Sequence, residues 1–279
     1  MSCGSTRAGY LFETRQARGR NVLSNFFQRT YLQLIDSPNG ERWWHSLPLP
    51  DGNRISGAHE DKVLQLSMWD ALLVPGSGGL SGKRVLDIGA NDGFFSLAAI
   101  AAGASSVTSV DKDWDTWPKN IQYASRIWKA PLEIVTGDFR TIELHGSFDV
   151  IFFLGVLYHL EDVFGAISRL RSWLGEHGLL YIETQITNVK SDLPIFEYAS
   201  DVYPTIAHQD KASLEGVGIS NYLFPNQQAV FNLAYSYGFS CTFLGGADNT
   251  YTAKNPTRHI YRLTKLAPGE TWTVPSTSV

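Results

Sequence analysis

The sequence predicts an α/β fold built on a Rossmann-like, mostly parallel sheet, and three observations predict it. Short apolar runs suited to strands buried on both faces recur along residues 81–185. Stretches of small and apolar residues at helical spacing separate them. The first run ends in a turn bracketed by two glycines, and the second ends in an acid, the arrangement with which open α/β sheets bind a nucleoside at their carboxyl edge.

Val85, Leu86 and Ile88 form the first strand, and Gly89 and Gly93 bracket the turn after it, where the chain must come close to a ligand. Residues 94–104 read as a packed helix. The second strand, residues 107–111, ends at Asp111, placed to hold a ribose, with Lys112 next. Residues 132–139 form a third strand ending in Gly137, Asp138 and Phe139, and residues 148–156 a fourth that passes Leu154. A helix over about residues 163–174 leads to a fifth strand at 178–184. Residues 187–224 are irregular, with Pro194, Pro204 and several glycines, and form an insertion at the sheet edge where a substrate pocket is normally built. Residues 225–237 resume as a helix with Pro225 at its first turn, and residues 240–245 and 258–265 are the last two strands.

Upstream, residues 21–35 carry Val22, Phe26, Phe27, Leu32 and Ile35 at helical spacing, and residues 61–73 repeat the pattern with Val63, Leu64, Leu66, Trp69, Leu72 and Leu73. Between them lies a turn-rich aromatic stretch containing Trp43, Trp44 and His45. The expected organisation is a helical cap over residues 1–80 that closes the cofactor mouth, a core over 81–266 with the 187–224 insertion, and a tail over 267–279.

A chain of 279 residues with 43% hydrophobic residues can bury an ordinary core. The formal net charge of -4 supplies no global cationic field to concentrate nucleic acid, so a nucleic-acid partner stays open but is not favoured over a small-molecule substrate. Arg7, Arg15, Arg18 and Arg20 read as a solvated first helix rather than a nucleic-acid arm. Cys3 and Cys241 are too few and too far apart for a disulfide framework or a C-x-x-C metal site, which predicts a reducing setting and no metal. No apolar run approaches the roughly 18 residues that span a bilayer, so a cytoplasmic protein without a membrane partner is expected, with a homodimer left open.

The turn also discriminates between nucleosides. A dinucleotide fingerprint needs a middle glycine to clear room for a pyrophosphate, and Gly89-Ala-Asn-Asp-Gly93 lacks it while placing Asp92 where the diphosphate would sit. Asp87, Asp92, Asp111 and Asp138 instead favour a ligand with a positive centre. S-adenosylmethionine, with a sulfonium, a ribose and no phosphate, meets that requirement.

With Asp87, Gly89 and Gly93 in the D-x-G-x-x-x-G spacing, and the strand order above, the sequence resembles the class I methyltransferases over roughly residues 81–185. Leu154-Gly-Val-Leu-Tyr-His159, Glu183-Thr184, Asn221-Tyr-Leu-Phe-Pro225, Trp44-His45 and Leu47-Pro48 make it similar to the tRNA wobble-uridine (mo5U34) methyltransferase-like family over most of residues 43–265. The resemblance implies seven strands with the last antiparallel. It implies cofactor contacts from Asp87, Gly89, Asn91, Gly93, Asp111, Lys112, Asp138, Phe139, Leu154 and Tyr158. Relatives that use carboxy-S-adenosylmethionine hold its extra carboxylate with basic residues. Arg258 stands for one of these, but Met68 falls where a lysine is expected and residues 48–52 contain none. An unpaired carboxylate in a closed site costs several kcal/mol, so ordinary S-adenosylmethionine is expected.

Methyl transfer to a hydroxyl or protonated amine needs a base, and His159, just past the fourth strand, is the first candidate, with Tyr158 beside it. His45, Glu183 and His208 are lesser candidates. The expected function is methylation of a small-molecule oxygen or nitrogen, with a tRNA wobble-uridine methyl- or carboxymethyltransferase as the alternative.

Overall fold

In the computed structural model the described residues are 26, 31–57, 79–112, 117–187, 189–198, 223–247 and 258–275. Three two-residue strands come first: β1 (Leu34–Ile35), β2 (Leu47–Pro48) and β3 (Arg54–Ile55). The core then runs β4 (Arg84–Ile88), α1 (Phe94–Ala101), β5 (Ser106–Asp111), α2 (Trp117–Trp128), β6 (Leu132–Thr136), β7 (Phe148–Leu154), a 3₁₀ turn (Leu157–His159), α3 (Val163–Trp173) and β8 (Leu174–Gln185). It closes with β9 (Phe196–Tyr198), β10 (Leu223–Pro225), α4 (Gln227–Ser236), β11 (Phe239–Ala247) and β12 (Arg258–Lys265).

Seven strands make the main sheet in the order β11-β12-β8-β7-β4-β5-β6. β8, β7, β4, β5 and β6 pair in parallel, and β12 runs antiparallel to both β8 and β11. The chain order therefore reverses between β4 and β7, and this switch point opens a crevice at the carboxyl ends of the strands. β7 shows how the sheet is held: Ile151 and Phe153 pack on one face with Val163, Ile167 and Leu170 of α3, while Val150, Phe152 and Leu154 pack on the other with Phe94 and Leu97 of α1. Period-2 alternation of apolar side chains on a strand covered on both faces requires this division.

The upstream region differs from expectation where it is described. Residues 31–57 form a small sheet in the order β1-β3-β2, and Leu34–Ile35 is a strand rather than the end of a helix. Backbone pairing explains it: Leu32 N–H donates to Gly52 O at 2.8 Å and Arg54 N–H to Gln33 O at 3.0 Å, long-range bonds that override local helical spacing. The helix expected over residues 61–73, Met68, His208 and the arginines of the first twenty residues lie outside the described residues.

Helix α4 also begins later than expected. Asn226 is its N-cap, with its side chain accepting the Ala229 N–H at 2.9 Å, and Pro225 belongs to β10, which pairs antiparallel with β9. An asparagine that satisfies one of the orphan N–H groups sets the helix start, and the proline is left one residue before it. β8 starts directly from the end of α3 at Leu174 and is longer than the 178–184 expected. No helix of the described residues is long and apolar enough to cross a membrane.

Candidate active site

Three carboxyl ends and the turn after β7 surround one cleft. Its walls are Ile88 and Gly89 after β4, Val110, Asp111 and Lys112 at the end of β5, Gly137, Asp138, Phe139 and Arg140 after β6, and Val156 and Leu160 after β7. Gly89 has φ +74°, and a Cβ there would lie 2.4 Å from Val156 Cγ2, so glycine keeps both the backbone turn and this wall in place.

Asp111 is held by backbone. Its Oδ2 accepts the Asn91 N–H at 2.9 Å and its Oδ1 accepts the Lys112 N–H at 2.8 Å, which sets the carboxylate at the rim of the cleft. Asn91 adopts φ 47°, a left-handed conformation that asparagine tolerates and that turns its N–H toward Asp111. Asp138 is paired with two cations: Lys112 Nζ at 3.2 Å and Arg140 Nη2 at 2.6 Å. Burial works to raise its pKa, yet the Arg140 and Lys112 hydrogen bonds hold the carboxyl well below the usual carboxylate range.

Several of the sequence candidates stand elsewhere. Asp87 is 2% exposed beneath the turn, where Ser96 Oγ donates to it at 2.6 Å and Ser109 Oγ donates to Ser96 at 2.8 Å. Asp92, also 2% exposed, faces the upstream segment: it accepts the backbone N–H groups of Trp44 and His45, the latter at 2.8 Å, and the Asn120 amide at 3.0 Å. The expectation that Asp87, Asp92, Asp111 and Asp138 together present negative charge to a ligand is therefore corrected, because two of them are buried away and Asp138 is matched by cations. Gly93 packs against Ile121 of α2, where a Cβ would meet Cγ1 at 2.7 Å, and Leu154 lies in the core beside α1. Asn91 is not one of the cleft walls, and its backbone N–H holds Asp111.

Tyr158 belongs to a neighbouring cluster. Arg258 makes a two-pronged pair with Glu183, through Nε to Oε1 and through Nη2 to Oε2 at 2.6 Å, and Nη2 also approaches the Tyr158 hydroxyl at 3.5 Å. Burial pushes the Tyr158 phenol above its ordinary range, so it stays protonated near neutral pH. The His159 ring is half-buried against Tyr158, with ring centroids 4.2 Å apart.

Sequence reasoning missed Ile88, Val110, Gly137, Arg140, Val156 and Leu160 as cleft walls. Three of them carried a readable signal. Arg140 follows Asp138 by two residues, close enough for a local ion pair, and Val156 and Leu160 are four apart, the spacing that puts two side chains on one side of a helical turn.

Residues 61–216 match the methyltransferase domain family, more than half of the chain. The chain belongs to that family. The sheet order and the antiparallel β12 are those of a Rossmann-like class I methyltransferase fold. Among solved structures, the N-terminal domain of EvdMO1, with SAH bound, is similar at a TM-score of 0.59 and 15% identity, covering 81% of this chain and 92% of that one. The magnesium protoporphyrin IX methyltransferase of Synechocystis PCC 6803, with SAM bound, matches at a TM-score of 0.52 and 18% identity, covering 73% of this chain and 81% of that one. The methyltransferase is also 31% identical over 112 residues to a tRNA U34 carboxymethyltransferase of Ectopseudomonas mendocina, covering 38% of this chain and 34% of the relative. A protein of the same description from Pseudomonas aeruginosa strain LESB58 is 33% identical over 112 residues, with the same coverage. The matched stretch thus spans about a third of the length of these curated relatives.

Burial pushes the Asp87 carboxyl from 3.8 up to about 7, against the Ser96 hydrogen bond and with help from the charge of Asp111. A raised folded value means that the contribution of Asp87 to stability is fully present below pH 3.8 and is lost as pH rises through about 7. Asp87→Asn removes this ionisation. Urea denaturation is expected to show the variant gaining on the parent across that window, by up to about 4 kcal/mol at pH 8; parallel pH profiles for the two proteins would refute the assignment.

Proposed function

We propose that this methyltransferase uses S-adenosylmethionine to methylate an oxygen or nitrogen of a small-molecule acceptor. The observation that carries the reading is Asp111, fixed by two backbone N–H groups at the rim of a cleft with apolar walls. A carboxylate in that position suits the two hydroxyls of a ribose, and Ile88, Val110, Phe139, Val156 and Leu160 suit a flat heterocycle. The two positive charges of Lys112 and Arg140 are balanced by the two carboxylates of Asp138 and Asp111, which leaves the cleft better matched to an adenosyl group without phosphate than to a dinucleotide. The family membership and the SAM- and SAH-bound structures of similar fold support the same cofactor.

When bound, S-adenosylmethionine supplies a methyl carbon already activated by a sulfonium. The work left to the protein is alignment and removal of a proton. Alignment of reacting groups contributes about 7–11 kcal/mol in favourable cases. Asp111 and Gly89 fix the nucleoside end, and Val156 separates it from the cluster around Tyr158. His159, on the 3₁₀ turn after β7, takes the acceptor's proton, and the protonated Tyr158 phenol beside it orients the acceptor by donating a hydrogen bond. We place the enzyme in the cytoplasm, in line with its two widely spaced cysteines.

A second reading, modification of a tRNA wobble uridine, is favoured by the tRNA U34 carboxymethyltransferases that share part of the sequence. The net charge of -4 speaks against it, since phosphate contacts dominate RNA affinity.

Asp111→Ala is expected to weaken S-adenosylmethionine binding by about 1.5–3 kcal/mol, roughly ten- to hundredfold, by calorimetry; unchanged affinity would remove Asp111 from the ribose. His159→Ala is expected to lower kcat about 10²-fold or more while cofactor affinity holds within a factor of two, and equal turnover in variant and parent would remove the base. Unmodified tRNA is expected to bind weakly with a shallow dependence on salt between 50 and 200 mM, whereas tight binding with a steep dependence would favour the second reading.

A further inference from the structure

Beyond the cleft, the same sheet edge carries a second group of polar side chains. Glu183 and Gln185 sit two residues apart on β8 and so share a face. Gln185 is the register partner of Arg258 on β12. Glu183 is fully buried, and its carboxylate is paired in two places with Arg258. Gly155, the residue after β7, marks where these groups meet: a Cβ built there would be 3.1 Å from Arg258 Nη2, 3.7 Å from Glu183 Oε2 and 3.7 Å from the Tyr158 hydroxyl. Val156, the next residue, is a wall of the cofactor cleft. The cluster thus adjoins the cleft on the side of β8 and β12, and the His159 ring packs tilted against its Tyr158.

Gln185 is the anomaly in this cluster. It is only 7% exposed, and its Oε1 is buried with no hydrogen-bond partner among the described residues. Proteins rarely leave a buried acceptor unsatisfied, because the loss of its water is then uncompensated. The groups around it are already matched: the Arg258 and Glu183 charges cancel, and the Tyr158 phenol remains protonated. The complement to this edge is a neutral group that can donate a hydrogen bond and carries no charge of its own.

We propose that Gln185, together with the Glu183–Arg258 pair and the Tyr158 hydroxyl, forms the recognition edge of the methyl-acceptor site, and that Gln185 Oε1 accepts a hydrogen bond from a neutral N–H or O–H of the acceptor. This rests on the methyltransferase reading and deepens it: the acceptor class is an uncharged phenol, enol or ring N–H compound rather than a carboxylate. The edge excludes anions because its single guanidinium is already occupied by Glu183. A free heterocycle and a phenolic metabolite present the same donor, and separate probes distinguish them.

The test uses the full chain saturated with S-adenosylhomocysteine, whose affinity is measured first. Phenol and uracil serve as neutral donor probes, toluene as the probe without a donor, and benzoate as the anion, each titrated by NMR. At least one donor probe is expected to bind about tenfold more tightly than toluene and benzoate, and the probe that binds identifies the source. Gln185→Leu is expected to abolish that preference, to leave S-adenosylhomocysteine affinity within a factor of two, and to raise Tm, because a buried orphan acceptor has been replaced by an apolar group of similar size. Gln185→Glu, close in shape, keeps an acceptor and is expected to retain the donor preference. Donor preference unchanged in Gln185→Leu, absence of any probe binding, or a fall in Tm with lost cofactor affinity would each overturn the inference. Failure of S-adenosylhomocysteine to bind the parent would instead overturn the methyltransferase reading on which it stands.

Discussion

A buried carboxylate holds the upstream segment against the glycine turn after β4, and the geometry of the cleft depends on it. Asp92 receives two backbone N–H groups from Trp44 and His45 and an amide from Asn120 of α2. Burial works to raise its pKa, opposed by those donors. Neutral donors compensate a desolvated charge only when several converge, so the three partners and the carboxylate stand or fall together. Asn120 extends the tie to Arg42 O at 2.8 Å and accepts from Asn39 at 3.0 Å, and the Trp128 indole reaches Pro48 O at 2.9 Å. The turn pinned in this way also carries Gly89 and presents the Asn91 N–H to Asp111.

The same turn separates two chemical environments. Below it, Asp87, Ser96 and Ser109 form a short buried chain of hydrogen bonds between β4, α1 and β5. Above it, the cleft is close to electrically balanced, with Asp138 set against Lys112 and Arg140. The cleft is then distinguished by the fixed orientation of Asp111 and the shape of its apolar walls. A site of this kind selects by fit and by hydrogen bonding more than by net charge. The neighbouring cluster around Glu183 and Arg258 repeats the logic, a cancelled charge pair beside Gln185, whose Oε1 has no hydrogen-bond partner among the described residues.

Much of the fold was legible in the sequence because its strands are short runs buried on both faces. Val85, Leu86 and Ile88, or Val150 to Leu154, have no competing helical pattern, and the glycines and Asp111 that follow them sit at offsets set by backbone sterics. The upstream sheet was not legible. Strands of two residues carry no periodicity, and their register is decided by contacts with distant segments, such as Arg54 with Gln33. Among the site residues, Asp111 could be placed from its position at a strand end. Asp87 and Asp92 could not, since a carboxylate in a glycine turn can face a ligand, a helix or another segment with the same local sequence.

The sequence by itself determined the succession of core strands and helices and the glycine turn, because these follow from local sterics and from short runs of apolar side chains. Only the tertiary structure decided which acids reach the cleft, that Asp138 is matched by Lys112 and Arg140, and that Gln185 is buried beside the Glu183–Arg258 pair. The reason is range: partners such as Trp44 and Asp92, or Glu183 and Arg258, lie 48 and 75 residues apart, and a charge acquires its role only when packing brings its partner within a few ångströms.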